Sequence, residues 1–423
     1  MIHQVYLPEI TRKRLTDVVA LQMLLLSYAA SRDTLNEANC TIYLDRCVRF
    51  RGRSAQIAAW IWHAPGRYEP LEKCAQSPAA QKLGWSKRIT RETFAFLHHP
   101  IGPIDTHVRR TASLWERAGA DFLRRFYVDL CSPAKLPGCI FSEPVGGSFG
   151  RQDLLAAFTD SNRHLHICAV CDETGYHTML EGHIYAELDH YLPESIYPHL
   201  ACHPFNLIPI CPYCNDMIKG QADPLQGSSR GRLRVEDIFL PYRETSLGSR
   251  TYLHVRLGAA LTEAEFGELR PREESNLRSR LEGFRRVYKI PDRWRQRVDE
   301  IGPQLVKRMR EFLRGIPITA LNPRSLLNEL DDLLYWFHQD QGDEPFAFAK
   351  MWWLAALIND DVEPATRRRQ HASGPTSPLL KEIGAMLQLD RRVGGSRPRG
   401  LVHTSSARRE TARHLRGLLR SGR

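Results

Sequence analysis

The amino-acid sequence predicts a mainly α-helical, multidomain protein with a small α+β core. Three observations predict it. Apolar residues recur at helical spacing through much of the 423-residue chain. Two Cys-x-x-Cys pairs, Cys168/Cys171 and Cys211/Cys214, fall in one short region. Between them lie two short apolar runs of strand character, and a segment opened by Pro212 and closed by Gly220 follows as a short helix. Two such pairs present four thiolates from two tight turns, the tetrahedral all-sulfur geometry of a closed structural Zn2+ site.

Residues 1–150 read as an α-rich N-terminal domain whose role the residues do not assign. The apolar stretch 18–30 follows Arg12, Lys13 and Arg14 and imitates a secretory signal. Glu9 and Asp17 interrupt its flanks, and it is too short to span a bilayer, so it reads as a helix packed in a core. Trp60, Trp62 and Trp85 mark apolar segments, and no phosphate-binding glycine loop is present. Cys40, Cys47, Cys74, Cys131 and Cys139 form no ligand pattern. Pro and Gly accumulate at 132–150, which reads as a linker.

The second domain is placed at 160–225. Residues 184–192, bounded by Gly182 and Pro193, read as a strand, and 206–211, interrupted by Pro209, as another. Strand, loop, strand and helix in this order set the end of the first strand against the helix, so that Asp189 and His190 meet Asn215. Cys202 and His203 inside the insert are reserve metal ligands, Cys202 being read as a buried small apolar side chain. His164, His166, His177 and His183 are read as surface or strand histidines.

Residues 225–234 form a flexible-looking join, and 235–364 a C-terminal helical domain. Within 261–290, Leu277, Leu281, Phe284, Val287 and Tyr288 keep helical spacing. Pro291 opens a helix through Trp294, Val298, Ile301, Leu305, Met309 and Leu313, kinked at Pro303. Asn322-Pro323 and Glu344-Pro345 open two more, the last carrying Phe346, Phe348, Met351, Trp352, Trp353 and Leu357. Such stripes read as packed core. Arg285, Arg286, Arg293, Arg295 and Arg297 suit a phosphate backbone, but solvated helix faces are the commoner explanation.

The tail, 365–423, carries 14 Lys/Arg against 3 acidic residues, a surplus equal to the chain's whole net charge of +11. A basic, Gly/Ser/Pro-containing tail favours polyanions without reading sequence. The composition, 42% hydrophobic and 25% charged, is that of a globular chain. Ten cysteines without a small secreted framework point to a reducing, cytoplasmic setting. Separately, no membrane partner is expected, since the apolar run is too short to span a bilayer.

Asp189-His190 with Pro193 three residues on, Asn206 opening the second strand, and Cys211-Pro-Tyr-Cys214-Asn215 followed by Lys219-Gly220 resemble the HNH endonuclease family over residues 165–220. The resemblance implies a ββα-metal nuclease fold stabilised by a four-cysteine zinc ribbon. It implies hydrolysis of phosphodiester bonds in nucleic acid, DNA foremost. His190 is then the general base, since a neutral imidazole is poised near physiological pH. Asp189 is a hard oxygen ligand for Mg2+ or Mn2+. Asn215 is the second ligand, and Asn206 holds the loop and orients the histidine. Lys219 is a phosphate contact or a solvated helix-end cation. Many members carry His where Asn215 stands. HNH modules within helical proteins resemble bacterial anti-phage and restriction-type effectors, some with an ATPase partner. The same residues also admit a zinc-ribbon nucleic-acid binding module without catalysis, and an RNase using the same metal site. Taken singly, Asn215 suits a knuckle cap and His190 a zinc ligand.

Overall fold

The computed structural model describes residues 2–98, 102–106, 112–142, 147–173, 177–178, 184–227, 231–243, 246–258, 260–271, 277–313, 323–339 and 343–368. The basic tail beyond 368 and His183 lie outside the described residues. Within them the chain is mainly helical, with three two-stranded antiparallel sheets. It divides into a first unit, Gln4–Arg163 with Tyr176–Thr245, and a second, Met1–His3, His164–Gly175 and Ser246–Arg423.

In the first unit the apolar run at 18–30 lies inside helix α1 (Glu9–Ala30), where Val18, Val19, Leu21, Leu25 and Tyr28 are fully buried. Helices α2 (Glu37–Asp45), α3 (Ser54–Trp62), α4 (Pro65–Ala75) and α5 (Ala79–His98) follow. Helix α6 (Leu114–Cys131) starts at a capping box: the Ser113 hydroxyl accepts the Glu116 N–H, and the Glu116 carboxylate accepts the Ser113 N–H. Its inner face buries Phe122, Leu123, Phe126 and Leu130. Gly119 lets Trp85 lie against the helix; a Cβ there would meet the indole at 2.2 Å. Helix α7 (Arg151–Ser161) completes the set.

The described residues of 132–150 pack into the core rather than lying outside it. Leu136 and Phe149 exchange backbone hydrogen bonds at 2.9 and 2.8 Å, and both join Ile140 and Phe141 in the core. The four apolar side chains outweigh the surrounding Pro and Gly. Residues 186–207 share this core: Ala186, Leu188, Cys202 and Leu207 belong to the same apolar cluster as α1–α6, whereas 164–175 falls in the other unit.

The remaining first-unit strands are β1 (His177–Thr178), β2 (Ile184–Tyr185), β3 (Glu187–His190) and β4 (Leu207–Ile210). The strand expected at 184–192 is thus two short ones. Strands β3 and β4 pair antiparallel, with Asp189 opposite Ile208 and His190 opposite Leu207. The helix expected after Pro212 is a π-helix, Tyr213–Lys219. The Gly220 N–H bonds to the Asn215 carbonyl at 2.8 Å, and Gly220 stops the turn at φ 48°.

In the second unit a strand pair precedes most of the helices. β5 (Thr251–Leu257) pairs with β6 (Ala264–Pro271), so the first part of 261–290 is strand, not helix. The alternation of Leu253, Val255 and Leu257 is the signal for it. Then come α8 (Leu247–Arg250) ahead of the hairpin, and α9 (Leu277–Tyr288), α10 (Asp292–Arg295), α11 (Val298–Leu313), α12 (Pro323–Gln339) and α13 (Ala347–Arg368) after it. The helix expected from Pro291 is therefore two, α10 and α11, and Pro303 lies inside α11. Their aromatic residues form the core: Trp353 meets Phe266 at 5.5 Å and Trp294 meets Phe348 at 5.7 Å between ring centroids. The arginines of 285–297 are mostly bound to carboxylates, Arg285 and Arg295 to Asp292, Arg293 to Glu173, and Arg297 to Glu300. No described helix is long and apolar enough to cross a membrane.

Candidate active site and metal centre

The first knuckle, Cys168–Cys171, is held by its backbone. The carbonyl of Cys171 accepts the Trp294 indole N–H at 2.9 Å, and Ala169 accepts the Ile2 N–H at 2.8 Å. Asp172, at φ 61°, turns the chain away; its carboxylate accepts the Phe348 N–H at 2.9 Å and the His3 Nε2 proton at 2.6 Å. In the second knuckle, Cys211 follows β4 directly, and its sulfur accepts the Cys214 N–H at 3.4 Å.

Cys168, Cys171, Cys211 and Cys214 are each no more than 1% exposed. Their Sγ atoms lie within 4.8 Å of one another, and none is in a disulfide. Four thiolates at about 2.3 Å from Zn2+ in a tetrahedron stand about 3.8 Å apart, so small side-chain adjustments suffice. The donor set fits a metal such as zinc. The reserve ligands lie elsewhere: Cys202 is in the apolar core, where burial pushes its thiol well up. His203 lies between the rings of Phe96 and Phe205 at 4.9 and 5.8 Å. His164 and His166 are exposed.

Strand alternation puts Asp189 and His190 on opposite faces of β3. On one face Asp189, 2% exposed, accepts the Lys219 ammonium at 2.8 Å, and Lys219 also donates to the His190 carbonyl at 2.8 Å. Lys219 is therefore not a solvated helix-end cation; its side chain is 1% exposed. On the other face the His190 ring meets Tyr127 of α6 edge-on at 4.2 Å, and the Tyr127 hydroxyl donates to the Leu188 carbonyl at 3.2 Å. His190 Nε2 lies 3.0 Å from the Ala201 carbonyl and 3.6 Å from Glu194 Oε2. A carbonyl only accepts, so in the neutral ring Nε2 carries the proton and Nδ1 keeps the lone pair. Burial, with Lys219 adding to it and the Ala201 bond opposing, lowers the His190 pKa to about 3. Burial pushes the Glu194 carboxyl up, against the pull of Arg124.

Asn206 ties the β3–β4 loop. Its amide oxygen accepts the Leu192 N–H at 2.7 Å, and its amide nitrogen donates to the Leu192 and Leu200 carbonyls, both at 3.0 Å. Replacing Asn206 with Ala strands three buried backbone groups, and about 3–5 kcal/mol of stability is expected to go. Urea unfolding measures it; a loss below about 1 kcal/mol would show that water takes over the amide's bonds.

Asn215 does not meet Asp189 or His190 by hydrogen bond: its amide nitrogen donates to Asp216 at 3.0 Å. A divalent ion expected at Asp189 and Asn215 does not fit this arrangement. One carboxylate oxygen already holds an ammonium, and the carboxamide is turned to its neighbour. Sequence reasoning missed Tyr127 and Glu194. A Pro193-Glu194 step four residues after His190 is a weak local signal for Glu194; nothing local marks Tyr127. Compared with known proteins, the chain matches no family model, no curated protein and no solved structure.

Proposed function

We propose that this chain is a nuclease of the HNH type, a ββα fold with a four-cysteine zinc site, that hydrolyses phosphodiester bonds in nucleic acid, DNA first among substrates. The observation that carries the reading is His190 at the end of a strand paired to the one that leads into the Cys211/Cys214 knuckle. Its Nε2 faces a fixed carbonyl, which supports Nδ1 as the atom that takes a proton from water attacking phosphorus. Tyr127 and the Asn206-tied loop limit the ring's freedom, so the base needs little reorganisation. Zinc, held by the four cysteines, supplies structure and no chemistry.

The anti-phage or restriction setting and an ATPase partner rest on the family resemblance alone. The basic tail suits a polyanion by its charge. A second reading, a zinc-ribbon binding module without catalysis, is favoured by the buried Lys219–Asp189 pair.

Cleavage of plasmid DNA and of RNA, with and without Mg2+ or Mn2+, tests the proposal. The comparison is wild type against His190→Ala at equal zinc content. The variant is expected to lose about 10²–10⁴-fold in rate. Equal cutting by both proteins would remove His190 from the chemistry. Binding without cutting by wild type would favour the second reading.

A further inference from the structure

We propose that the second unit carries a nucleotide-binding cavity at the open end of the β5–β6 hairpin. It uses none of the cysteines and does not involve His190, so it stands whether or not the chain is a nuclease.

The cavity measures about 720 Å3, within the range of small-molecule pockets. All of its lining comes from one unit. Tyr252 pairs with Arg270 and Thr251 with Pro271, so the last residues of β6, 268–271, form one wall. Arg278, Leu281, Glu282 and Arg285 form the second, spaced i, i+3, i+4 and i+7 on one face of α9. Ile290 and Pro291 close the third side.

The charges divide into a fixed set and a free set. Arg285 is clamped: its Nη1 donates to Glu268 at 3.1 Å and its Nε to Asp292 at 3.3 Å. These bonds tie β6, α9 and α10 around the cavity. Arg278 and Glu282 are exposed, and among the described residues no side-chain hydrogen bond or ion pair engages either. A guanidinium that no carboxylate of the chain takes keeps its planar fork for a phosphate. Glu282, one turn along α9, accepts hydroxyl or amine donors and repels further phosphates. Leu269, Leu281 and Ile290 supply apolar surface for a flat ring. One anion, a few donors and a flat, half-apolar body together describe a mononucleotide. That chemistry reaches the cavity either as a free nucleotide or as the phosphorylated end of a strand.

Two measurements on the full zinc-loaded chain test this, both without added Mg2+ or Mn2+. The first is calorimetric titration of wild type and Arg278→Ala with AMP, adenosine, and a dinucleotide with and without a terminal phosphate. Wild type is expected to bind AMP at least roughly tenfold more tightly than adenosine, and Arg278→Ala to lose that advantage. Arg278 is exposed, so the variant should melt as wild type does. The second uses wild type alone. Modification of Arg278 by phenylglyoxal, read by mass spectrometry, should be suppressed by AMP and not by adenosine.

AMP and adenosine bound alike would overturn the proposal, as would Arg278→Ala binding AMP as wild type does. An Arg278 that AMP leaves unprotected while it binds would place the ligand elsewhere and overturn it too. A phosphorylated dinucleotide that binds where AMP does not, with the same loss in Arg278→Ala, would support the site and make its ligand a strand end. Binding of neither at about 1 mM would remove the site.

Discussion

Cys168→Ser and Cys211→Ser are each expected to release the metal bound by the four cysteines and to lower the melting temperature sharply. A serine hydroxyl stays protonated at neutral pH and is a poor zinc ligand, so each variant leaves three thiols in a pocket buried to 1% exposure or less. Structural zinc contributes about 10–16 kcal/mol in zinc-finger peptides, similar to the whole stability of a domain. Even a loss of about 5 kcal/mol lowers Tm by roughly 10–20 °C in a unit of this size. The check is zinc content by elemental analysis beside a thermal melt. Cys202→Ser is the control, since Cys202 lies in the apolar core and should keep the metal. Unchanged zinc in both knuckle variants would end the assignment.

The second large effect concerns acid. His199 and His203 are 1% and 0% exposed, and burial lowers both pKa values to about 3. His199 has neither ring nitrogen hydrogen-bonded to protein, and burial favours its neutral form. In the unfolded chain each titrates near 6.5, so below that pH the unfolded state binds more protons. The contribution of both is therefore fully present above pH 6.5 and is lost as pH falls toward 3. The slope for the pair approaches roughly 3 kcal/mol per pH unit, so a loss of several kcal/mol is expected by about pH 4.5. His190, also lowered to about 3, adds to it. Glu92, whose carboxyl is pushed up by burial beside His199, works in the opposite direction. Melting curves from pH 8 to 4 should show the fall, and His203→Phe, placed among Phe96 and Phe205, should flatten it. Stability that holds level from pH 7 to 4.5 would show that these rings are not kept neutral by burial.

Much of the local structure was legible because its causes are local. The run at 18–30 is a buried helix, as its length and flanks implied. Strand character at 207–210 and a turn ended by Gly220 follow from apolar alternation and from glycine's left-handed freedom. Helix α12 begins at the proline expected to open it, because proline presets the first turn. The same local logic failed where tertiary contacts outvoted it. Pro and Gly at 132–150 suggested a linker, but Leu136, Ile140, Phe141 and Phe149 had a core to enter. The hairpin β5–β6 was hidden because alternation on one strand gains weight only when its partner is known.

By itself, then, the sequence determined the four cysteines, their spacing, the order of strands and helix around them, and the Asp189-His190 step. All are set by covalent spacing and short-range periodicity. Only the tertiary structure decided what those side chains touch. It brought the four sulfurs within 4.8 Å, seated Trp294 on the Cys171 carbonyl 123 residues away, and laid Tyr127 against His190. It also turned Lys219 inward onto Asp189. The physical reason is burial: a charged side chain in a low-dielectric interior must find a partner, and that partner is chosen by the packing of distant segments.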